Sequence, residues 1–90
     1  MRLVPYKQTA TFHADTLPDA LRREHRTKAG VWGRIVVVSG RLRFTDARGV
    51  VDLTGGEVVE VEPESPHAVE AVGEVAFYVE FCREADEAES

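Results

Sequence analysis

Two short segments concentrate the side chains that could do chemistry. Glu24-His25-Arg26-Thr27-Lys28-Ala29-Gly30-Val31-Trp32-Gly33 brings an imidazole, two cations and an indole close together, with Arg34 following directly. Pro63-Glu64-Ser65-Pro66-His67-Ala68-Val69-Glu70 sets a second imidazole just after a proline-bounded turn. An imidazole titrates near neutral pH and offers a nitrogen lone pair, so His25 and His67 are candidates for metal ligation or proton transfer. For His25 the competing reading is a ring hydrogen-bonded to a loop carbonyl. His13, beside Phe12, reads as a surface histidine. Arg26, Lys28 and Arg34 form a local cationic group in an acidic chain. Guanidinium geometry suits a carboxylate or phosphate, so these three could draw in an anionic ligand, or they could simply be solvated charges at a rim. Trp32 could stack on a ligand or plug the end of the fold.

Composition narrows the classes. Ninety residues make one domain, and 43% hydrophobic with 30% charged residues is a globular composition. The formal net charge of −5 argues against nucleic acid as a partner, because phosphate neutralisation needs a basic surface. No apolar run approaches membrane-spanning length, and Met1-Arg2-Leu3-Val4-Pro5 has no leader-like apolar segment, so the expected location is cytoplasmic, with no membrane partner. A single cysteine, Cys82, excludes an internal disulfide and a cysteine cage for zinc. It ends an apolar strand and reads as an inert buried thiol. No nucleophile–histidine–acid signature, phosphate loop or paired-carboxylate motif is present, so no catalytic residue is assigned.

The elements that must position these residues are strands. Val, Ile and Phe recur between closely spaced Gly and Pro. Gly30 to Gly40 reads as a strand, apolar on both faces from Ile35 to Val38, with Ser39-Gly40 supplying a hairpin turn and Arg41 to Thr45 a half-solvated strand. Val50–Thr54, Glu57–Val61, His67–Ala71 and Val75–Cys82 follow, with Val72-Gly73-Glu74 as a further turn, and Val4 to His13 adds an edge strand. This amounts to seven or eight short strands, the pattern of a sandwich or barrel. One helical turn is expected near residues 16–23, opened by Asp15-Thr16 with Pro18 in its first turn. Residues 1–83 form the domain and 84–90 an acidic frayed tail. Alternation from His67 puts Glu70 on the opposite face, and Glu80 faces away from Phe77, Val79 and Phe81.

These motifs resemble a known family. His25-Arg-Thr-Lys-Ala-Gly-Val-Trp-Gly33, Gly40-Arg-Leu-Arg-Phe44, Pro66-His-Ala-Val-Glu-Ala71 and Phe77-Tyr-Val-Glu-Phe81 are similar to the small cupin domain at the N-terminus of the tellurite-resistance protein TehB. More loosely they resemble the stand-alone YeaR-type proteins. The resemblance implies an all-β cupin-type double-stranded β-helix, a jelly-roll barrel with His25 and His67 facing each other at its mouth. It departs from the wider cupin pattern. The usual glutamate position falls on Gly33, the two histidine positions fall near Arg26 and Lys28, and the usual glycine before the second motif is Ser65. An ordinary four-ligand metal site is therefore not expected. A divalent ion such as zinc, nickel or iron would have to rest on His25 and His67. The implied function is binding of a small molecule or oxyanion in a tellurite or related stress response, with Arg26, Lys28, Trp32 and Arg34 as ligand-binding candidates. The methyltransferase domain of TehB proteins is not included in residues 1–90, so its activity is not carried over. Two other readings stand beside this one: a metal-dependent cupin oxygenase or isomerase acting on a small polar substrate, and a structural interaction domain without a ligand. Open strand edges on so small a barrel point to a homodimer.

Overall fold

The computed structural model describes residues 2–86. The chain forms β1 (Arg2–Gln8), β2 (Phe12–His13), α1 (Asp19–Arg22), β3 (Trp32–Asp46), β4 (Gly49–Thr54), β5 (Val58–Val61) and β6 (His67–Ala85). The all-β expectation holds, with a single helical turn.

Strands β3 and β6 are the spine. They pair antiparallel from Trp32↔Cys82 at one end to Asp46↔His67 at the other. The register slips twice, between Val37 and Ser39 and between Gly40 and Leu42. At the second slip Val72-Gly73-Glu74 lies opposite Arg41 alone, since Gly40 pairs with Val75 and Leu42 with Ala71. Ser39-Gly40 thus lies inside one long strand, paired with Ala76 and Val75 directly after a one-residue bulge at Val38, and is not a hairpin turn; Val72-Gly73-Glu74 bulges inside the other. Gly40 and Gly73 have φ of 77° and 74°, and a left-handed glycine serves a bulge as readily as a turn. Against the seven or eight short strands expected, the described residues form six, two of them long and broken by bulges.

Each half of the spine recruits its own neighbours. Before the slips, β3 pairs with β5 (Gly33↔Val61 to Val36↔Val58), and the matching part of β6 pairs with β1 and β2. After the slips, β3 pairs with β4, from Arg41↔Thr54 to Asp46↔Gly49. The core draws on both halves: Ile35, Val37, Val61 and Phe77 from the first, Leu42, Phe44, Leu53 and Val69 from the second. Inward positions on β3 change from odd (Ile35, Val37) to even (Leu42, Phe44) across the slips. The shift of register by one residue lets both halves face one core.

Three boundaries differ from expectation. The helix is only four residues long, because Asp15-Thr16 closes a separate turn: the His13 N–H donates to Thr16 Oγ1 at 2.8 Å and the Thr16 N–H to the His13 carbonyl at 3.0 Å. Pro18 flanks the helix in extended conformation, with no side-chain cap. The edge strand divides into β1 and β2, and Pro5 is tolerated opposite Cys82 because β1 lies at the sheet edge. Finally, β6 continues past the boundary expected at residue 83. Arg2 and Leu3 pair with Ala85 and Glu84, and Ala85 is buried. The rest of the expected tail, residues 87–90, lies outside the described residues.

Candidate functional site

His67 opens β6, and the loop before it holds it in place. Pro66 has no N–H to donate, and Glu64 takes a left-handed φ of 62°, which turns its N–H toward the Thr27 carbonyl at 3.1 Å. The Ser65 carbonyl comes within 3.0 Å of His67 Nδ1. A carbonyl can only accept, so this contact puts the proton on Nδ1 and leaves Nε2 of the neutral ring as an acceptor. The ring is 8% exposed and stacks on Phe44, with centroids 5.9 Å apart and planes at 25°.

His25 reaches the same place from the loop before β3. It forms an isolated antiparallel bridge with His67: the His25 N–H donates to the His67 carbonyl at 2.7 Å and the His67 N–H to the His25 carbonyl at 2.8 Å. Directly opposed residues of such a pair project to the same face. The imidazole centroids are 5.5 Å apart, edge to face at 81°. Burial, and then the neighbouring His67, hold the His25 imidazole below its ordinary pKa of 6.5. Thr27, two residues on, ties the loop down by donating from Oγ1 to the Val31 carbonyl at 2.7 Å.

Both imidazoles border a cavity of about 210 Å³ inside the barrel. Strand β6 contributes Val69, Phe77, Val79 and Phe81 to its wall, every second residue along one face on either side of the bulge. Gly33 and Ile35 come from β3, Phe12 from β2 and Leu21 from α1. No lysine, arginine, aspartate or glutamate side chain lines it among the described residues. Thr27 and Phe81 were not among the sequence candidates. Their signal is alternation, Thr27 counted from His25 and Phe81 from Phe77.

The other candidates lie elsewhere. Trp32 and Arg34 alternate with the inward Gly33 and Ile35, so their side chains project to the outer face instead of the mouth. Trp32 Nε1–H donates to Glu84 at 3.0 Å. Arg34 sits in a row across three strands, registered with Glu60 and Glu80, and contacts their carboxylates at 3.3 Å and 3.4 Å. This ion-paired row accounts for the outward Glu80. Arg26 is exposed and pairs with Glu24 at 3.1 Å, and Lys28 is exposed in a turn. The expected cationic group does not line the cavity. His13 is exposed, Glu70 is exposed opposite Arg43, and Cys82 is buried with its thiol pKa pushed up by burial.

As a metal site the donor set is short. Catalytic zinc sites use three protein ligands and structural ones four. Among the described residues no group of three or more His, Cys, Asp or Glu side chains is placed to hold a metal ion. The described residues therefore supply at most two donors, His25 and His67.

Known structures define the class. A cupin-2 domain containing protein from Shewanella frigidimarina superposes with a TM-score of 0.56 over 86% of this chain and 63% of that one, at 15% identity. The domain is a cupin-type β-barrel. Residues 7–79 match the model of the TehB-like domain, and the chain belongs to that family. The probable S-adenosyl-L-methionine-dependent methyltransferase TehB of Haemophilus influenzae is 32% identical over 79 residues, covering 80% of this chain and 28% of that protein. The crystal structure of TehB from Haemophilus influenzae superposes with a TM-score of 0.83 at 30% identity, over 91% of this chain and 32% of that one. A protein from E. coli strain K12 reaches the same TM-score of 0.83 at 20% identity, covering 93% of both chains. The chain thus spans under a third of the curated relatives it matches. No helix among the described residues is long and apolar enough to cross a membrane.

Proposed function

We propose that this domain is a binding module whose barrel cavity takes a small molecule, with His25 and His67 as its polar contacts. One observation carries the reading: a reciprocal backbone bridge brings two imidazoles from distant parts of the chain to a cavity otherwise walled almost wholly by hydrocarbon. Few precisely placed polar groups in a largely apolar concavity is the usual construction of a small-ligand site. The methyltransferase named for TehB belongs to a protein of which this chain matches 28%. Kinship suggests that the module serves the same cellular task, and we assign to its own residues binding alone.

A divalent ion on the two histidines is a second reading. It is favoured by the 5.5 Å ring separation, since two imidazoles sharing a tetrahedral ion have ring centres roughly 5 Å apart. The ion's remaining ligands would have to come from the bound molecule or from water.

Chemical-shift mapping of the labelled protein separates the readings. A fragment library, zinc and tellurite are titrated separately against wild type, His25→Ala and His67→Ala. Shifts clustered on His25, His67, Val69 and Phe77, and weakened by either substitution, support the binding site. Zinc shifting both imidazoles at stoichiometric addition would establish the ion. If no titrant reaches these residues at millimolar concentration, the module is not a binding domain of this kind.

A further inference from the structure

The class of ligand can be read from the same cavity, and this step rests on the binding role just proposed. Charge comes first. The lining carries no cationic side chain, and the arginines nearest in sequence are committed elsewhere, Arg34 to Glu60 and Glu80 on the outer face and Arg26 to Glu24. An oxyanion entering would leave water without gaining a counter-charge, and burying an unpaired anion is among the costliest events in a protein.

Shape and lining come next. A dry cavity of ~150 Å³ walled by Leu, Ile and Phe accepts benzene. The cavity here is about 210 Å³, which leaves room for one ring and a small substituent. Phe12 and Phe77 stand at its wall as a tilted pair with centroids 5.6 Å apart, and Phe81 joins them, so a flat ring would find edge and face partners.

The polar end decides the substituent. His67 donates through Nδ1 to the Ser65 carbonyl, so the neutral ring keeps an acceptor at Nε2. No buried side-chain nitrogen or oxygen among the described residues lacks a partner, and the hydrogen bond of the His67 ring is made by Nδ1, so Nε2 is accessible; His67 borders this cavity and also a cleft beside Glu24, Asp46 and Pro66. An open acceptor calls for a donor on the ligand.

We infer that the cavity takes a neutral, single-ring aromatic molecule bearing one hydroxyl, which donates to His67 Nε2, in preference to an oxyanion.

The test uses four probes on the whole domain at pH 7.5: p-cresol, toluene, 4-methylbenzoate and tellurite. Affinities come from amide shifts of Val69 and Phe77, and the hydrogen bond from the nitrogen shift of His67 Nε2. p-Cresol should bind saturably and move Nε2. Toluene should bind roughly fivefold more weakly, the worth of one neutral hydrogen bond, without moving Nε2. The two anions should bind at least tenfold more weakly than p-cresol. His67→Phe, which keeps an aromatic ring against Phe44, should erase the difference between p-cresol and toluene. Should that variant not fold, the probe series on the wild type decides alone. Tighter binding of tellurite or 4-methylbenzoate at these residues overturns the ligand class while leaving the binding role intact. Equal affinity for toluene and p-cresol overturns the hydrogen bond to His67. Failure of all four probes overturns the inference; a wider library that also fails then removes the binding role.

Discussion

Alanine at Gly40 and alanine at Gly30 form a controlled pair. Both glycines have φ of 77°, but a Cβ on Gly30 would meet nothing within 4 Å, whereas on Gly40 it would lie 2.1 Å from the Glu74 carbonyl oxygen and 2.8 Å from Val75 Cα. The left-handed backbone costs an alanine about 1–2 kcal/mol, partly offset by ~0.4–1 kcal/mol from a less flexible unfolded chain. Gly30→Ala should therefore lose roughly 1 kcal/mol or less. At Gly40 the obstacle is backbone on the partner strand, which no rotamer change can clear. Real Cβ contacts essentially never fall under 3.0 Å, so the strands must part by most of an ångström around the bulge. Overpacking costs of ~1–3 kcal/mol and one or two weakened ladder bonds at about 1 kcal/mol each bring the total to roughly 3–5 kcal/mol. Domains of this size have about 5–13 kcal/mol to lose. Urea melts followed by circular dichroism at 25 °C give the difference directly, and thermal melts should separate the two variants by about 10 °C or more. Gly73→Ala, at φ of 74° with open space around it, is a second control that should resemble Gly30→Ala. If Gly40→Ala falls within about 1 kcal/mol of either control, the close approach of the strands at the bulge is not what the glycine is for.

Other outcomes follow from the site. Because the folded His25 pKa lies below 6.5, the unfolded chain binds the proton first as pH falls; the imidazole's contribution to stability is therefore complete above 6.5 and is lost as pH drops from 6.5 through the lowered value, and urea midpoints between pH 8 and 5 should show the decline, weaker in His25→Ala. Phe77→Ala, at a fully buried ring in both core and cavity wall, should cost about 3–5 kcal/mol in urea melts. Trp32→Phe removes a 3.0 Å hydrogen bond to exposed Glu84 on the outer face, so it should cost under about 1 kcal/mol and leave p-cresol affinity within twofold.

The faces of the strands were harder to read than the strands themselves. β-branched and aromatic runs announce β3 and β6, but Ile35 to Val38 is apolar at every position, which hides the parity that faces inward. In the folded chain Ile35 and Val37 are buried while Val38 is more than half exposed at 54%, and Arg34 and Trp32 share its outer face. Whether Arg34 and Trp32 line the barrel cavity turns on that parity, and in the folded chain neither does. The row Glu60–Arg34–Glu80 joins residues from three strands and depends on register, which is a property of the assembled sheet. His25 and His67 could be singled out by type and by their turn residues. That a backbone bridge would hold them edge to face goes with the Glu64 turn reaching back to Thr27, a tertiary contact with no local signature.

The slips on either side of Ser39-Gly40 show what kind of information was missing. Buried positions at Ile35 and Val37, then at Leu42 and Phe44, require the inward parity to change between Val37 and Leu42. An unbroken strand would turn Arg41 and Arg43 into the core and Leu42 and Phe44 out of it. A hairpin at Ser39-Gly40 and a bulge at Val38 would both make that change. What separates them is the partner: a hairpin pairs the two halves with each other, whereas here both halves pair with β6. Pairing with β6 sets Asp46 beside His67 and brings Phe44 under its ring. The position of the candidate binding histidine therefore depends on the register set at the two slips that flank Gly40, far from it in sequence, and Gly40→Ala, by parting the strands there, should disturb the His67 ring resonances even in molecules that remain folded.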